Sequence, residues 1–170
     1  MVLRLIIKVW LPIFSITMIG CKVDLPKDVA EAYKNLPEEV SFNMDVKPII
    51  TDKCYHCHGP DEHTRGAEVR LDDKDGLYSK SANGNFPFVP KSLNKSEAIH
   101  RILSDDPDYM MPPPDAEREL SSAEKAALVK WVDQSAQWNE HWSFVPLEET
   151  TIPEIETEWE DANEIDNFVY

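Results

Sequence analysis

The most chemically suggestive part of the chain is a group of two thiols and an imidazole within five residues: Cys54, Cys57 and His58. Two thiols three positions apart can add to the two vinyl groups of one porphyrin. A histidine directly after the second thiol is then held beneath the iron. This C-x-x-C-H spacing is typical of c-type haem attachment. We therefore predict one covalent haem, with Cys54 and Cys57 as attachment points and His58 as an iron ligand.

A second iron ligand is expected from a loop well downstream of His58. The chain offers Met110 and Met111 directly before three prolines. The prolines restrict the backbone, so a sulfur there can be held at the iron with little loss of chain entropy. Thioether sulfur is a soft ligand that favours Fe(II) and raises the reduction potential. Met111, next to the prolines, is predicted as the sixth ligand; Met110 is the alternative, and core packing is open to both.

Other side chains could support a haem. A guanidinium binds a carboxylate through two hydrogen bonds, so an arginine could neutralise the haem propionates; the candidates are Arg65, Arg70 and Arg101. Aromatic residues could line the crevice, although core packing is their ordinary role; these are Tyr55, Trp131 and Trp138. Of the remaining histidines, only His63 is considered as an alternative iron ligand.

Three alternative functions use the same residues. A structural zinc module could bind metal through Cys54, Cys57, His58 and His63, but the chain lacks a second Cys/His pair at ordinary spacing. A thiol redox protein could use the same two cysteines, but no βαβ pattern surrounds them. A haem-based sensor would need an open sixth position, and the Met-Pro-Pro segment argues against one.

The composition limits the partners of the chain. Its 170 residues include 17 Lys and Arg against 32 Asp and Glu, for a formal charge of −15. Such a surface repels nucleic acid and suits a redox partner with a basic docking patch, although solubility alone would also account for it. Three cysteines are too few for a disulfide-stapled scaffold. The length allows one modest domain with tails.

Residues 1–20 have the layout of a targeting segment. A short positive region precedes an apolar run that is too short and too proline-interrupted to span a membrane comfortably, as in a secretory signal. The end of the run, Met18-Ile19-Gly20-Cys21, resembles a bacterial lipobox. We predict that Cys21 is lipidated and that the exported protein is anchored to a membrane on the periplasmic side or in the cell envelope. An uncleaved anchor helix and a plain signal peptide are the alternatives.

The segments between these motifs predict a helical domain. Residues 21–41 are interpreted mainly as a tether, with a short helix over residues 28–36 as the alternative. A first helix is expected to begin near Phe42, with Asn43 as N-cap, and to lead directly into Cys54. A short helix is capped by Ser96. The last helix is predicted over residues 122–138, because Ser121 and Glu124 form a capping box at its start.

The apolar stripe of the last helix is expected to pack across the first helix. This arrangement, with haem between the loops, is the plan of class I cytochromes c. We therefore predict an all-α, small cytochrome c-like fold over residues 42–146, with crossed terminal helices and long loops around one haem. Residues 147–170 are interpreted as an acidic linker followed by the start of a truncated further domain.

Residues 42–146 resemble the planctomycete-type cytochrome c domain. The resemblance implies that the domain stands at the front of a larger exported protein, so the chain is expected to be a fragment or a truncated gene product. It also implies electron transfer here, with any catalysis in a fused or docking partner. One departure is Gly66-Ala67-Glu68-Val69, where the family tends to have Lys-Ala-Gly-Leu. The matching motifs are Phe42-Asn43, Val46-Lys47-Pro48-Ile49, Cys54 to Asp61, Arg70-Leu71-Asp72, Val89-Pro90, Ser96-Glu97, Arg101-Ile102, Asp106-Pro107-Asp108, Met111-Pro112-Pro113, Leu120-Ser121 and His141 to Pro146.

Overall fold

The computed structural model describes residues 23–63, 65, 68–147, 149–154 and 163–169. In these ranges the chain forms helices and loops and has no strand; a single isolated bridge joins Phe86 and Ser96. The all-α prediction is therefore confirmed. The chain divides into two compact units, one ending at Gln137 and the other beginning at Trp138. The α-helices are α1 (Lys27–Asn35), α2 (Lys47–Lys53), α3 (Tyr55–His58), α4 (Lys74–Tyr78), α5 (Glu97–Ile102), α6 (Ser122–Asp133) and α7 (Asp166–Val169).

Helix α1 lies within the segment interpreted as a tether. It packs against α6, and its Val29 is 1% exposed. The hydroxyl of Ser122 on α6 donates a hydrogen bond to the Asp28 carboxylate, and Tyr33 donates to Asp133 at 3.0 Å. Part of the predicted tether is thus a packed helix. Its amphipathic pattern covers only nine residues, and the charges and prolines on either side favoured a tether in the sequence.

A π-helical turn, Phe42–Val46, leads into α2. The N-cap is Ser41 rather than the predicted Asn43, because the Ser41 hydroxyl accepts a hydrogen bond from the Met44 N–H at 3.4 Å. Pro48 lies in the first turn of α2, where a missing N–H is tolerated. The predicted entry of this segment into Cys54 is confirmed.

The capping box predicted for α6 is present: Ser121 accepts from the Glu124 N–H, and the Glu124 carboxylate accepts from the Ser121 N–H at 2.7 Å. The helix ends at Asp133, however, and does not reach Trp138. The chain leaves the helical conformation through Ser135 and Ala136, whose φ angles are 116° and 46°. Their positive φ values stop the helix before the predicted end.

The core of the first unit lies where α6 crosses the turn before α2. Trp131 on α6 is 2% exposed and packs between two phenylalanine rings, with centroids 5.5 Å from Phe42 and 5.2 Å from Phe88. Its Nε1–H donates to the carbonyl of Gln137 at 3.0 Å. The last helix therefore contacts the start of the first helical segment, whereas the predicted crossing of the two helices stays a prediction; Trp131 has the packing role.

Helix α5 also contacts α6 and buries Ile99 and Ile102. Ser96 stands at its N-cap position, but its hydroxyl makes no cap bond. It accepts from the Val89 N–H and donates to the Ser92 carbonyl, each at 2.8 Å. The buried hydroxyl therefore closes the loop before α5, which corrects the prediction that Ser96 caps the helix.

The second unit contains the turn Trp142–Phe144 and α7. Its apolar residues are largely exposed, among them Phe144, Leu147, Ile165 and Phe168. Helix α7, Asp166–Val169, is a single turn. The boundaries of the predicted domains stay predictions.

Candidate haem site

The two cysteines and His58 are positioned by the end of the first helical segment. The Cys54 N–H donates to the Ile50 carbonyl at 2.9 Å, so the chain leaves α2 without a break. The Cys54 carbonyl then accepts from the N–H groups of Cys57 and His58, at 3.1 and 2.9 Å. This single turn, α3, places the two thiols and the imidazole on neighbouring positions of one helical surface. Both cysteines are free thiols.

The ring of His58 is oriented by the loop that follows α3. Its Nδ1 lies 2.9 Å from the carbonyl oxygen of Val69. Since a carbonyl can only accept, Nδ1 carries the hydrogen, and in the neutral ring Nε2 carries the lone pair. The Leu71 N–H also donates to the His58 carbonyl at 2.8 Å. A hydrogen bond that fixes the tautomer and orientation of a metal-binding histidine is the usual arrangement around such ligands.

The loop that orients His58 is itself stapled by an ion pair. Arg70 donates to both carboxylate oxygens of Asp72, at 3.0 and 2.5 Å, and lies 3.1 Å from Asp73. The Arg70 guanidinium lowers the pKa of the Asp72 carboxyl below its ordinary value of 3.8. The pair therefore holds the backbone around Val69 and Leu71 in the conformation that His58 contacts.

Met111 reaches the same region from the loop after α5. Its N–H donates to the Arg101 carbonyl at 3.1 Å, whereas Met110 N–H donates to the Asp106 carbonyl at 2.7 Å. The backbone of Met110 is therefore held in the turn that begins at Asp106, whereas the backbone of Met111 is held against α5. Both side chains are half-buried.

Two cavities lie beside these residues, with volumes of about 240 and 260 Å³. Four residues line both of them: Cys54, His58, Ile102 and Met111. Cys57 lines the smaller cavity. Among the described residues that line either cavity, Met110 is not included. The structure thus places Cys54, His58 and Met111 at both cavities and Cys57 at the smaller one, and that each residue binds haem or iron stays a prediction.

Most of the surface that lines the larger cavity is apolar, and a smaller set of its lining residues is polar. The apolar set includes Ile50, Leu71, Phe88 and Leu128; the polar set includes Ser81, Asn83, Asn85, Glu97 and Arg101. The smaller cavity adds Lys53, His56 and Arg118. Lys53, Arg118 and the polar loop residues were missed by the sequence reasoning, because no motif links them to the cysteines.

The three arginines proposed for propionate binding have different surroundings. Arg70 is paired with Asp72, and Arg101 lines the larger cavity while pairing with Glu97 at 2.8 Å. The Nη1 of Arg65 is buried and has no hydrogen-bond partner among the described residues. A buried guanidinium nitrogen without a partner is costly unless an anion completes it.

The donor set fits a c-type haem. Two thiols on one helical turn, an imidazole with its Nδ1 bonded to a carbonyl and a thioether line two cavities whose exposed lining is mostly apolar. These residues match the chemistry that a covalent haem requires.

The alternative uses of the cysteines find less support. In the part of the chain that the structure describes, no group of three or more His, Cys, Asp or Glu side chains is arranged to hold a metal ion. Burial, with smaller contributions from Asp52 and Cys57, raises the pKa of the Cys54 thiol to about 12. Redox-active cysteines have the opposite shift, because their thiolate must be accessible.

Of the other histidines, His56 lines the smaller cavity, whereas His63, His100 and His141 are not among the described residues that line either cavity. His56 and His63 are exposed, and the His63 N–H donates to Asp61 at 2.9 Å. His100 contacts the Asn94 carbonyl at 2.9 Å, and His141 contacts Ser143 within the second unit. Tyr55 is half-buried, and neither it nor Trp131 is among the described residues that line the two cavities.

The described part of the chain is helical and is consistent with a small cytochrome-like fold. The family model described as "Planctomycete cytochrome C" matches residues 54–115, from the first cysteine to just beyond the Met-Pro-Pro segment. The planctomycete-type resemblance is therefore confirmed over this segment, which is less than half of the chain. A cytochrome c domain implies a haem cofactor and a role in electron transfer, and such domains are generally exported.

One curated relative is the alpha subunit of hydrazine synthase from Kuenenia stuttgartiensis, which is 28% identical over 125 residues. The match covers 59% of this chain and 16% of the relative, so the chain spans only a small part of that protein's length. No solved structure gives a significant match to the chain.

Two further predictions concern the exported state. The predicted targeting segment, residues 1–20, and the predicted lipidation site, Cys21, lie outside the described residues. Within the described ranges, no helix has the length and apolar character needed to cross a membrane.

Proposed function

We propose that the chain is a one-electron carrier with a single haem, attached through Cys54 and Cys57 and bound at the iron by His58 and Met111. The observation that carries this proposal is that Cys54, His58 and Met111 line both cavities, although His58 ends helix α3 and Met111 lies in the loop after α5. When bound, the group supplies reversible exchange of one electron between Fe(II) and Fe(III).

Each part of the site has a role in this proposal. The Val69 carbonyl keeps the Nδ1 hydrogen of His58 in place and leaves Nε2 for the iron. The Met111 sulfur favours the reduced state. Apolar side chains such as Ile50, Leu71 and Phe88 exclude water from the larger cavity and lower its dielectric constant, which further adjusts the potential.

We further propose that the protein is exported and anchored through a lipid on Cys21. Its redox partner is then a protein with a basic docking patch, because the chain has a formal charge of −15, and nucleic acid is not a partner. The relative is named as a subunit of an enzyme, but the match covers 16% of it. We assign electron transfer to this chain and place any catalysis in a fused or docking partner.

The test is the reduced pyridine spectrum of the full chain, exported in cells that contain the haem-attachment machinery. We expect a c-type spectrum that survives acid-acetone extraction and corresponds to one haem per chain. The double variant Cys54→Ala/Cys57→Ala should lose the covalent haem, whereas Cys21→Ser should keep it. A chain that holds zinc by elemental analysis and no covalent haem would contradict the proposal.

The lipid anchor has its own measurement. Cells labelled with a radioactive fatty acid should transfer the label to the wild-type chain, and Cys21→Ser should abolish both the label and the membrane association. Label that persists in Cys21→Ser would contradict the anchor while leaving the haem proposal intact.

A further inference from the structure

We propose that Glu97, Arg101 and Tyr109 form a clamp that positions Met111 and determines how readily an outside ligand displaces its sulfur from the iron. We call these three residues the Glu97 clamp. The inference rests on the proposed function, because it concerns the residue assigned as the sixth ligand.

The clamp begins with three contacts between Arg101 and the methionine loop. The Arg101 carbonyl accepts from the Met111 N–H at 3.1 Å. Its Nη1 donates to the Tyr109 carbonyl at 3.4 Å, and its guanidinium carbon lies 4.5 Å from the centre of the Tyr109 ring. One residue of α5 therefore holds the loop through its backbone and through its side chain, on both sides of Met110.

Glu97, one helical turn earlier on α5, completes the clamp. Its Oε1 accepts from the Arg101 Nε–H at 2.8 Å and from the Tyr109 hydroxyl at 3.1 Å. A single carboxylate oxygen thus joins the helix to the loop. The pair is charged and partly buried, with side-chain exposures of 28% for Arg101 and 24% for Glu97, so its hydrogen bonds are stronger than those of an exposed pair.

The clamp is also fixed to the rest of the domain. The Glu97 N–H donates to the Phe86 carbonyl at 2.9 Å, and Asn85 donates to the second carboxylate oxygen at 3.3 Å. Ile99, between the two charged residues of α5, is fully buried. Because Glu97 and Arg101 are anchored in this way, the clamp holds the backbone of Met111 in a fixed position and does not move with the loop.

The side chains of the clamp reach the site itself. Glu97 and Arg101 line the larger cavity together with Met111. They do not provide an iron ligand, and they act through the backbone of residues 109–111. They are therefore positioning residues for the thioether.

The chain contains a matched control for the clamp. Tyr33 donates to the Asp133 carboxylate at 3.0 Å, and the ammonium group of Lys130 lies 5.3 Å from the Tyr33 ring centre. This Tyr33 cluster (Tyr33, Lys130 and Asp133) has the same three components, a tyrosine, a carboxylate and a cation, between α1 and α6. None of its members is among the described residues that line the cavities of the haem site.

The experiment measures imidazole binding to the oxidised full-length holoprotein, together with the sulfur-to-iron charge-transfer band. Losing a hydrogen bond to a charged group weakens the bound state of Met111, so Tyr109→Phe should bind imidazole about tenfold more tightly than wild type. Arg101→Gln should have a larger effect and a weakened band, and Arg101→Lys should restore part of the difference. Tyr33→Phe should leave the imidazole affinity unchanged. It should lower the thermal stability of the protein to about the same degree as Tyr109→Phe does.

Four results would overturn the clamp. If Tyr109→Phe and Arg101→Gln both bind imidazole as wild type does, and the sulfur-to-iron band is intact, the clamp is refuted and the proposed function is not. An equal change in Tyr33→Phe would show that the effect is general destabilisation. A wild-type protein with covalent haem but no sulfur-to-iron band would refute the clamp together with Met111 as a ligand, and a chain without covalent haem would refute the proposed function itself.

Discussion

The two sides of the candidate haem site are held in different ways. On one side, His58 follows the cysteines in a continuous helical segment, and its ring and carbonyl are fixed by backbone groups of Val69 and Leu71. On the other, Met111 lies in a loop that is tied to α5 through the side chains of Glu97, Arg101 and Tyr109. The first side depends on residues that are close in sequence, and the second on contacts that bring separate elements together.

This difference indicates which side is easier to change. Backbone hydrogen bonds around His58 are preserved in most side-chain substitutions, whereas the Met111 side can be loosened by replacing a single side chain. We therefore expect substitutions near His58 to affect whether the holoprotein forms, and substitutions near Met111 to affect the properties of the iron.

The largest effect is expected from His58→Ala. Loss of the imidazole removes the ligand that holds the iron beside the attachment cysteines, so we expect the yield of covalent holoprotein to fall by roughly tenfold or more. The measurement is haem per chain in the exported fraction, by pyridine spectrum. The control is His63→Ala, since the His63 side chain is exposed and is not among the described residues that line either cavity; a similar loss in that variant would contradict the role of His58.

The next effect compares the two methionines. Met111→Ala should abolish the sulfur-to-iron band and lower the reduction potential by on the order of 0.1 V, within the range that axial ligands control. Met110→Ala should retain the band, because Met110 does not line either cavity among the described residues. Spectra and potentiometry of the two variants check this, and loss of the band in Met110→Ala alone would reverse the assignment.

A smaller effect tests the turn directly after His58. A Cβ atom on Gly59 would lie 2.3 Å from the Tyr55 carbonyl oxygen, so the last turn of α3 must shift in Gly59→Ala. We expect a loss of about 2 kcal/mol in the free energy of unfolding, measured by denaturant titration, together with a changed haem spectrum.

Gly84→Ala is the comparison, since its φ is 82° but nothing lies within 4 Å of the added carbon. It should lose about 1–2 kcal/mol without a spectral change; a spectral change there as well would remove the distinction.

The smallest effect concerns the ion pair that staples the His58 loop. Because the pKa of Asp72 is lowered in the folded state, its charged form stabilises the fold above its ordinary pKa of 3.8, and this stabilisation is lost as the pH falls through the lower folded value. Asp72→Asn should therefore cost about 1 kcal/mol at neutral pH. The difference from wild type should shrink when unfolding is measured below pH 3.8.

The control for this pH dependence is Asp52→Asn. Asp52 also pairs with a cation, Lys53, but its side chain is 61% exposed, so solvent screens the pair more strongly. A difference for Asp72→Asn that stays constant down to acidic pH would show that the ion pair is not its cause.

The sequence predicts the His58 side more completely than the Met111 side. The spacing of Cys54, Cys57 and His58 specifies a local chemistry, and the capping box at Ser121 specifies where α6 begins, because both depend on neighbouring residues. The end of α6 was predicted wrongly, since the positive φ values of Ser135 and Ala136 have no glycine to mark them.

Contacts between distant residues leave weaker signals. Arg101 was considered only as a propionate partner, and its contacts with Glu97 and Tyr109 depend on how the loop after α5 folds back. The roles of Phe88 and Ser96 likewise arise from tertiary packing. Phe88 lines the larger cavity, and the Ser96 hydroxyl closes the loop before α5. Neither role has a characteristic spacing in the sequence.

The most direct test of the central claim is a potentiometric titration of the full-length holoprotein, followed in the visible and near-infrared. The proposed His58 and Met111 ligation predicts a single one-electron transition, in which the sulfur-to-iron band appears on oxidation and disappears on reduction. A protein that shows no one-electron transition, or a transition without this band, would contradict the proposal that these two residues hold a haem for electron transfer.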